Sequence, residues 1–192
     1  MKVYLSESTF LGLLLSAAEV YKKECLGYLL GYRLEDRFIV EHAFSVQTAS
    51  RRLKGVILGD KHQKKIEEVL QRFDKLQIIG DFHSHTQFGD TKGLPIPSED
   101  DLKTMRSGNI YLIVAVNDID KVYAWSENRD GTISGSVGRM FFKIAAYYLK
   151  AKRKGSRDTK ELSQESRLRQ RTDNSGLEVK RAKIYCPFPP GF

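Results

Sequence analysis

The chain has 192 residues, of which 41% are apolar, and a formal net charge of +8, which together indicate one globular domain with an ordinary core. The sequence predicts neither a membrane span nor a secretion signal, because the longest apolar run, residues 10–18, is too short and lies between Glu7 and Glu19. We therefore expect a cytoplasmic protein in which Cys25 and Cys186 are reduced thiols rather than a disulfide.

Periodicity predicts alternating strands and helices in the first half of the chain. In order, these are a strand at 2–5, a helix at 10–21 capped by Ser6 or Ser8, strands at 25–32 and 37–46, a helix at 60–73 and a strand at 76–82.

The second half predicts a hairpin, a strand and a closing helix. The hairpin joins residues 110–116 to residues 122–125, the strand covers residues 132–137, and the helix covers Met140–Leu149. This order describes a mixed central sheet flanked by helices, which is an α/β or α+β fold.

Positive charge is concentrated near the C-terminal end. Between Lys150 and Lys183, twelve Lys and Arg stand against five Asp and Glu, so this segment holds seven of the eight net charges. We therefore divide the chain into a folded domain, residues 1–149, and a basic, partly mobile extension, residues 150–192. Such an extension binds nucleic acid or an acidic partner, or only keeps the protein in solution.

Two histidines follow the strand at residues 76–82. His83 and His85 are two positions apart, so on an extended strand their side chains point to the same face, roughly 7 Å apart along the chain. Ser84 points to the opposite face. Two imidazoles on one face can bind one ion, and the sequence therefore predicts part of a zinc site.

A third ligand must come from elsewhere, because catalytic zinc usually takes three protein ligands and one water. Ser98 is the predicted N-cap of a helix whose first turn is acidic. Asp101 lies one turn inside this helix and is the predicted ligand, with Asp100 and Asp90 as its competitors. Upstream, Glu24 is either a general base beside the metal or a solvated residue after the first helix.

These motifs together resemble the JAMM (MPN+) metalloprotease family. They are Glu24 before an apolar, glycine-containing strand, then the triplet 83–85, then the segment Pro97-Ser98-Glu99-Asp100-Asp101. Metallo-β-lactamases and amidohydrolases would need a further histidine, and none follows His85. The resemblance covers residues 1–149 and implies a single JAB/MPN-type domain with a cytidine deaminase-like fold. It also implies a Zn²⁺ ion and hydrolysis of isopeptide or C-terminal peptide bonds of ubiquitin-like proteins.

The resemblance assigns a role to each motif residue. It implies that His83, His85 and Asp101 bind the metal, that Glu24 is the general base, and that Ser98 donates a hydrogen bond to the oxyanion. The loop Thr86–Pro97 departs from the family pattern, because it is about five residues longer than the compact form, an insertion that costs little free energy. We expect a longer loop over the same site.

Two loops are the predicted binding region for the tail of the modifier. They are residues 50–60 and 86–97. The first loop contains Arg51, Arg52 and Lys54, which either contact acidic residues of a partner or are ordinary surface charge. Two other functions stay open. One is a peptidase that trims a sulfur-carrier protein, and the other is a non-catalytic MPN scaffold or binding subunit, against which the retention of all the motif residues argues.

Overall fold

The computed structural model describes residues 1–46, 50–51, 56–57, 60–73, 76–152 and 176–188. The helices in these ranges are α1 (Glu7–Glu19), α2 (Asp60–Leu70) and α3 (Glu99–Thr104). The strands are β1 (Lys2–Leu5), β2 (Leu26–Arg33), β3 (Arg37–Ser45), β4 (Ser50–Arg51), β5 (Val56–Ile57), β6 (Gln77–Thr86), β7 (Ile110–Asp118), β8 (Ser126–Glu127), β9 (Ile133–Val137), β10 (Met140–Ala151) and β11 (Leu177–Tyr185).

Nine strands form one mixed sheet in the order β11-β1-β3-β2-β6-β7-β10-β9-β8, while β4 and β5 form a separate two-stranded ribbon. Near the middle, β6 runs antiparallel to β2 and parallel to β7. The sheet dominates and the described helices are few, so the fold is mixed α/β, as predicted.

The first helix, α1, packs on one face of this sheet. Ser6 is its N-cap, because its Oγ accepts a hydrogen bond from the Thr9 backbone N–H at 3.0 Å. Three residues of this helix, Phe10, Leu13 and Ala17, are buried against the sheet. Burying a side chain the size of Phe or Leu stabilises the fold by about 1.5–3 kcal/mol, which explains why the helical spacing of apolar residues predicted this element well.

The opposite face of the sheet carries a second, smaller apolar cluster. Strand β7 is buried on both faces along almost its whole length. Its residues 112, 114 and 116 join the core beneath α1, while Tyr111 and Ile113 pack with Tyr147, Val179 and Met105. Because Ile113 pairs in register with His83, the second cluster lies on the face that carries the histidines.

The predicted helix at Met140–Leu149 is wrong, since these residues form most of the long strand β10. This strand pairs with β7, β9 and β11, and Phe142, Ile144 and Ala146 enter the main core while Ala145 and Tyr147 enter the second cluster. A strand that is apolar on both faces loses the alternation that identifies strands, so periodicity alone did not distinguish it from a helix.

The second arm of the predicted hairpin is also wrong. Residues 122–125 form no strand, and β7 pairs with β6 and β10 instead. Trp125 turns into the core, where its ring meets Phe10 edge-on at 4.7 Å. The predicted strand at 132–137 is confirmed as β9.

Strand β11 lies inside the predicted basic extension and yet belongs to the main sheet. It runs parallel to β1 and antiparallel to β10. Residues 153–175, which carry seven of the twelve Lys and Arg of that extension, lie outside the described residues. Both cysteines carry thiols, in agreement with the sequence prediction. Among the described residues, no helix combines the length and the apolar character needed to cross a membrane.

Candidate metal centre

Strand β6 brings His83 and His85 together near the middle of the sheet. Pairing of His83 with Leu26 on β2 and with Ile113 on β7 fixes its backbone from both sides. The two imidazoles lie on one face with their Nε2 atoms 3.1 Å apart. Ser84 is turned to the opposite face and is fully buried, as strand geometry requires.

Asp101 reaches the same point from α3. Ser98 caps this helix in a reciprocal arrangement: its Oγ accepts from the Asp101 N–H at 3.2 Å, and Asp101 Oδ2 accepts from the Ser98 N–H at 2.6 Å. The same Oδ2 lies 3.3 Å from His83 Nε2 and 3.6 Å from His85 Nε2.

The two competing aspartates lie away from this cluster. Asp100 is 90% exposed and its carboxylate pairs with Lys103 at 2.7 Å. Asp90 is exposed in the turn of the loop that follows His85. Of the three candidates, the structure brings only Asp101 within reach of both histidines.

The charges of the three clustered side chains depend on one another. Burial favours the neutral form of His85, but the Asp101 carboxylate beside its Nε2, the Leu94 carbonyl on its Nδ1 and the charge of Glu24 outweigh burial and raise its pKa. Burial also opposes ionisation of Asp101, yet the neighbouring imidazoles of His83 and His85 and the hydrogen bond from Ser98 hold its pKa well below the ordinary value. At neutral pH an anionic Asp101 therefore faces two imidazoles.

This donor set fits a zinc ion. Imidazole nitrogen and carboxylate oxygen are ligand types that zinc takes, and the ligand atoms of His83, His85 and Asp101 all lie within 4.8 Å of one another. Their side chains are 12%, 18% and 23% exposed, so the site is largely desolvated but still in contact with solvent. Three protein ligands leave the fourth tetrahedral position for water.

Glu24 lies in the segment that leads into β2, next to the histidine strand. The Cys25 N–H donates to Ser84 Oγ at 2.8 Å, and the Ser84 N–H donates to the Cys25 carbonyl at 3.1 Å. These two bonds fasten the residue after Glu24 to the residue between the histidines. The Glu24 carboxylate is close enough to contribute to the raised pKa of His85.

One acidic residue of this face was not singled out from the sequence. Asp81 lies two residues before His83 on β6 and so points to the same face. Burial raises the pKa of Asp81 to about 6, and the nearby Asp101 charge adds to the shift while His83 opposes it. Asp81 lies in an apolar strand at the same two-residue spacing as both histidines. This spacing is the sequence signal from which its place on the histidine face could have been predicted.

The fold and site define a class of protein, namely an α/β domain in which a central strand and a neighbouring helix bring two histidines and an aspartate together. Residues 6–128 match the family described as prokaryotic homologs of the JAB domain. The chain belongs to this family.

A solved structure is similar to this chain over most of its length. The solution structure of protein DSY2949 from Desulfitobacterium hafniense is 15% identical, with a TM-score of 0.58 over 96% of this chain and 92% of that one. At this identity the likeness concerns the fold alone. No curated protein matches the chain significantly.

Proposed function

We propose that the protein is a zinc-dependent metallopeptidase that hydrolyses the isopeptide or C-terminal peptide bond of a ubiquitin-like protein. The observation that carries this proposal is the convergence of His83, His85 and Asp101 on one point, with Glu24 on the adjoining segment. Membership of the JAB family supports it, because that family includes metalloisopeptidases.

The three clustered residues would hold the ion through His83 Nε2, His85 Nε2 and Asp101 Oδ2. Bound there, zinc would polarise the scissile carbonyl and lower the pKa of its water ligand to about 7. The capping box keeps the Asp101 carboxylate in place, because Oδ2 is already bonded to the Ser98 N–H.

Glu24 and Ser98 would handle the proton and the developing charge. Glu24 takes the proton of the attacking water and passes it to the departing amine, a role that typically contributes about 10²–10⁴ to the rate. Ser98 Oγ accepts from the Asp101 N–H and still has its own proton to donate to the carbonyl oxygen of the substrate. Capping and oxyanion stabilisation are therefore compatible.

The surroundings of the site suit an extended apolar peptide. Phe88 is 69% exposed and Leu94 is 52% exposed, and both belong to the loop that follows His85. Beside His83 both edges of β6 are already paired, so the substrate tail would lie along this loop rather than join β6. In the other predicted loop, β4 and β5 form a ribbon to which a tail could add a strand, while Arg52 and Lys54 lie outside the described residues.

Metal content is the first test of this function. The wild type should contain about one zinc per chain by elemental analysis, and both His85→Ala and Asp101→Ala should lose it. Asp100→Ala changes a neighbouring, exposed acid of the same helix turn and should keep the metal, as should His42→Ala on β3. Wild-type protein without zinc after reconstitution would contradict the proposal.

Cleavage assays then separate the candidate functions. Glu24→Gln should retain zinc and lose hydrolysis of a lysine-linked conjugate by about 10²–10⁴. A protein that removes a linear C-terminal extension but leaves a lysine conjugate intact would be the sulfur-carrier type of peptidase. A protein that binds zinc and modifier but cleaves neither substrate would be a binding subunit.

A further inference from the structure

The loop Thr86–Pro97 is held by side chains at three consecutive residues. At its tip, Phe88 pairs with Thr91 around a turn. After the tip, Gly93, Leu94 and Pro95 each hydrogen-bond to a different side chain on the histidine face of the sheet. This short segment, residues 93–95, therefore has a fixed position beside His85.

Asn117, near the end of β7, binds both polar groups of Gly93. Its Oδ1 accepts from the Gly93 N–H at 2.7 Å, and its Nδ2 donates to the Gly93 carbonyl at 3.0 Å. Asn117 and Gly93 are both buried, so removing these bonds would leave polar groups unsatisfied. A Cβ on Gly93 would lie 2.4 Å from the His85 carbonyl oxygen, which shows how closely the loop backbone packs on β6.

Tyr147, on β10, binds the other end of the segment. Its hydroxyl donates to the Pro95 carbonyl at 2.7 Å and accepts from Arg181 Nη2, on β11, at 3.1 Å. Arg181 in turn pairs with Asp130 at 3.5 Å, and in such a chain each hydrogen bond polarises the next. Tyr147 and Arg181 lie beyond the residues 6–128 that match the family.

Between these two anchors, the Leu94 carbonyl accepts a hydrogen bond from His85 Nδ1 at 2.8 Å. A carbonyl oxygen only accepts, so Nδ1 carries the proton and Nε2 of the neutral ring keeps its lone pair. Nε2 is the atom that faces His83 and Asp101. The position of the Leu94 carbonyl therefore determines whether His85 presents a ligand atom to the site.

We propose that Asn117 and Tyr147 are positioning residues for the metal centre, because they fix the residues on either side of Leu94 and so hold its carbonyl on His85 Nδ1. The inference rests on the metal site proposed above and extends it to two side chains outside the ligand set. The loop spans twelve residues, and ordering it costs conformational entropy. The two anchors preorganise it before the ion binds.

The test compares two variants in the full-length protein. Tyr147→Phe removes only the hydroxyl, and Asn117→Leu removes both amide groups at similar volume. In the metal-free protein at alkaline pH, long-range ¹H–¹⁵N spectra should show His85 protonated at Nδ1 in the wild type and as a mixture of tautomers in both variants. Zinc affinity, measured by competition with a chromophoric chelator, should fall about 10–100-fold, the usual effect of losing an outer hydrogen-bond partner.

Matched controls remove equivalent groups elsewhere. Tyr111 pairs with Tyr147 in register and is also buried, but its hydroxyl accepts from the Arg106 N–H rather than binding the loop. Asn128 donates to the Thr132 and Ser134 hydroxyls in the turn before β9. Tyr111→Phe and Asn128→Leu should leave the His85 tautomer and the zinc affinity unchanged.

The proposal is overturned if His85 keeps its Nδ1 proton and its zinc affinity in both variants, or if the controls lose affinity equally. If Tyr147→Phe fails to fold by circular dichroism, Asn117→Leu decides the question. The His85 tautomer is measured in the metal-free protein, so this test does not depend on zinc binding. A wild type that binds no zinc would contradict the proposed function, and the tautomer comparison would still decide whether Asn117 and Tyr147 position His85.

Discussion

Replacement of Ser84 by alanine should weaken the fold and misplace Glu24 while leaving the metal ligands untouched. Ser84 is fully buried, and its Oγ accepts from the Cys25 N–H at 2.8 Å. This bond, with the backbone bond from Ser84 N–H to the Cys25 carbonyl, ties the segment carrying Glu24 to the strand carrying the histidines. Alanine keeps the backbone bond and removes the other.

The size of the effect follows from the burial of both partners. Cys25 is 2% exposed, so its N–H would lose this acceptor at a position closed to solvent, and the cost is about 1–3 kcal/mol. A domain is stable by about 5–15 kcal/mol, so the variant should still fold. Zinc content should be retained, because Ser84 points away from the ligands. Hydrolysis should fall by up to about 10², which is the effect of shifting a reacting group by about 1 Å.

Three measurements check this prediction: urea unfolding of the metal-free protein, elemental analysis, and cleavage of a modifier conjugate. Ser136→Ala is the matched control, because Ser136 is also buried and its Oγ accepts from the Tyr123 N–H at 2.7 Å, on β9 at the other end of the sheet. It should lose similar stability and keep its cleavage rate per zinc. A Ser84→Ala protein with wild-type stability, or one that loses zinc, would refute the reasoning.

Further predictions concern the loop, a thiol and the metal. Gly93→Ala should lose most zinc binding, because the added Cβ would overlap the His85 carbonyl oxygen. Gly89→Ala is the control, because Gly89 has a φ of +55 and nothing within 4 Å of the added Cβ. This control should keep zinc and lose only about 1 kcal/mol of stability in equilibrium unfolding. Burial, with the Glu127 charge, raises the pKa of Cys186 to about 12. At mildly alkaline pH, Ellman's reagent should therefore react slowly with the native protein, whereas in urea it should react at once with both thiols. Since the native pKa lies above the unfolded value of about 8.5, the stability that Cys186 contributes is present below about pH 8.5 and is lost as pH rises toward 12. Zinc at about 100 times its Kd should raise the free energy of unfolding by about 2.7 kcal/mol, seen as a higher Tm that a chelator reverses and that His85→Ala lacks.

Most of the candidate site was predictable from sequence because its parts obey local rules. His83 and His85 share a face since strand residues two apart always do, and Ser98 caps α3 since Ser before an acidic first turn is a helix start. The choice of Asp101 over Asp100 and Asp90 came from the S-x-x-D register of the family that the sequence resembles. The family resemblance supplied Glu24.

The errors occurred where burial, rather than periodicity, governs the structure. The segment Met140–Leu149 was predicted as a helix and forms most of β10. Its partner strand Leu177–Tyr185, in the predicted extension, pairs between β1 and β10. A strand covered on both faces has no alternating pattern, and its partners are determined only when the sheet assembles.

The sequence by itself determined which side chains lie at a strand end and at a helix cap, since neighbours in the chain fix that geometry. Only the tertiary structure decided what holds the ligands still. Asn117 and Gly93 are 24 residues apart, and Tyr147 and Pro95 are 52 residues apart. No local pattern encodes such pairs, because they meet only after β7, β10 and β11 take their places in the sheet.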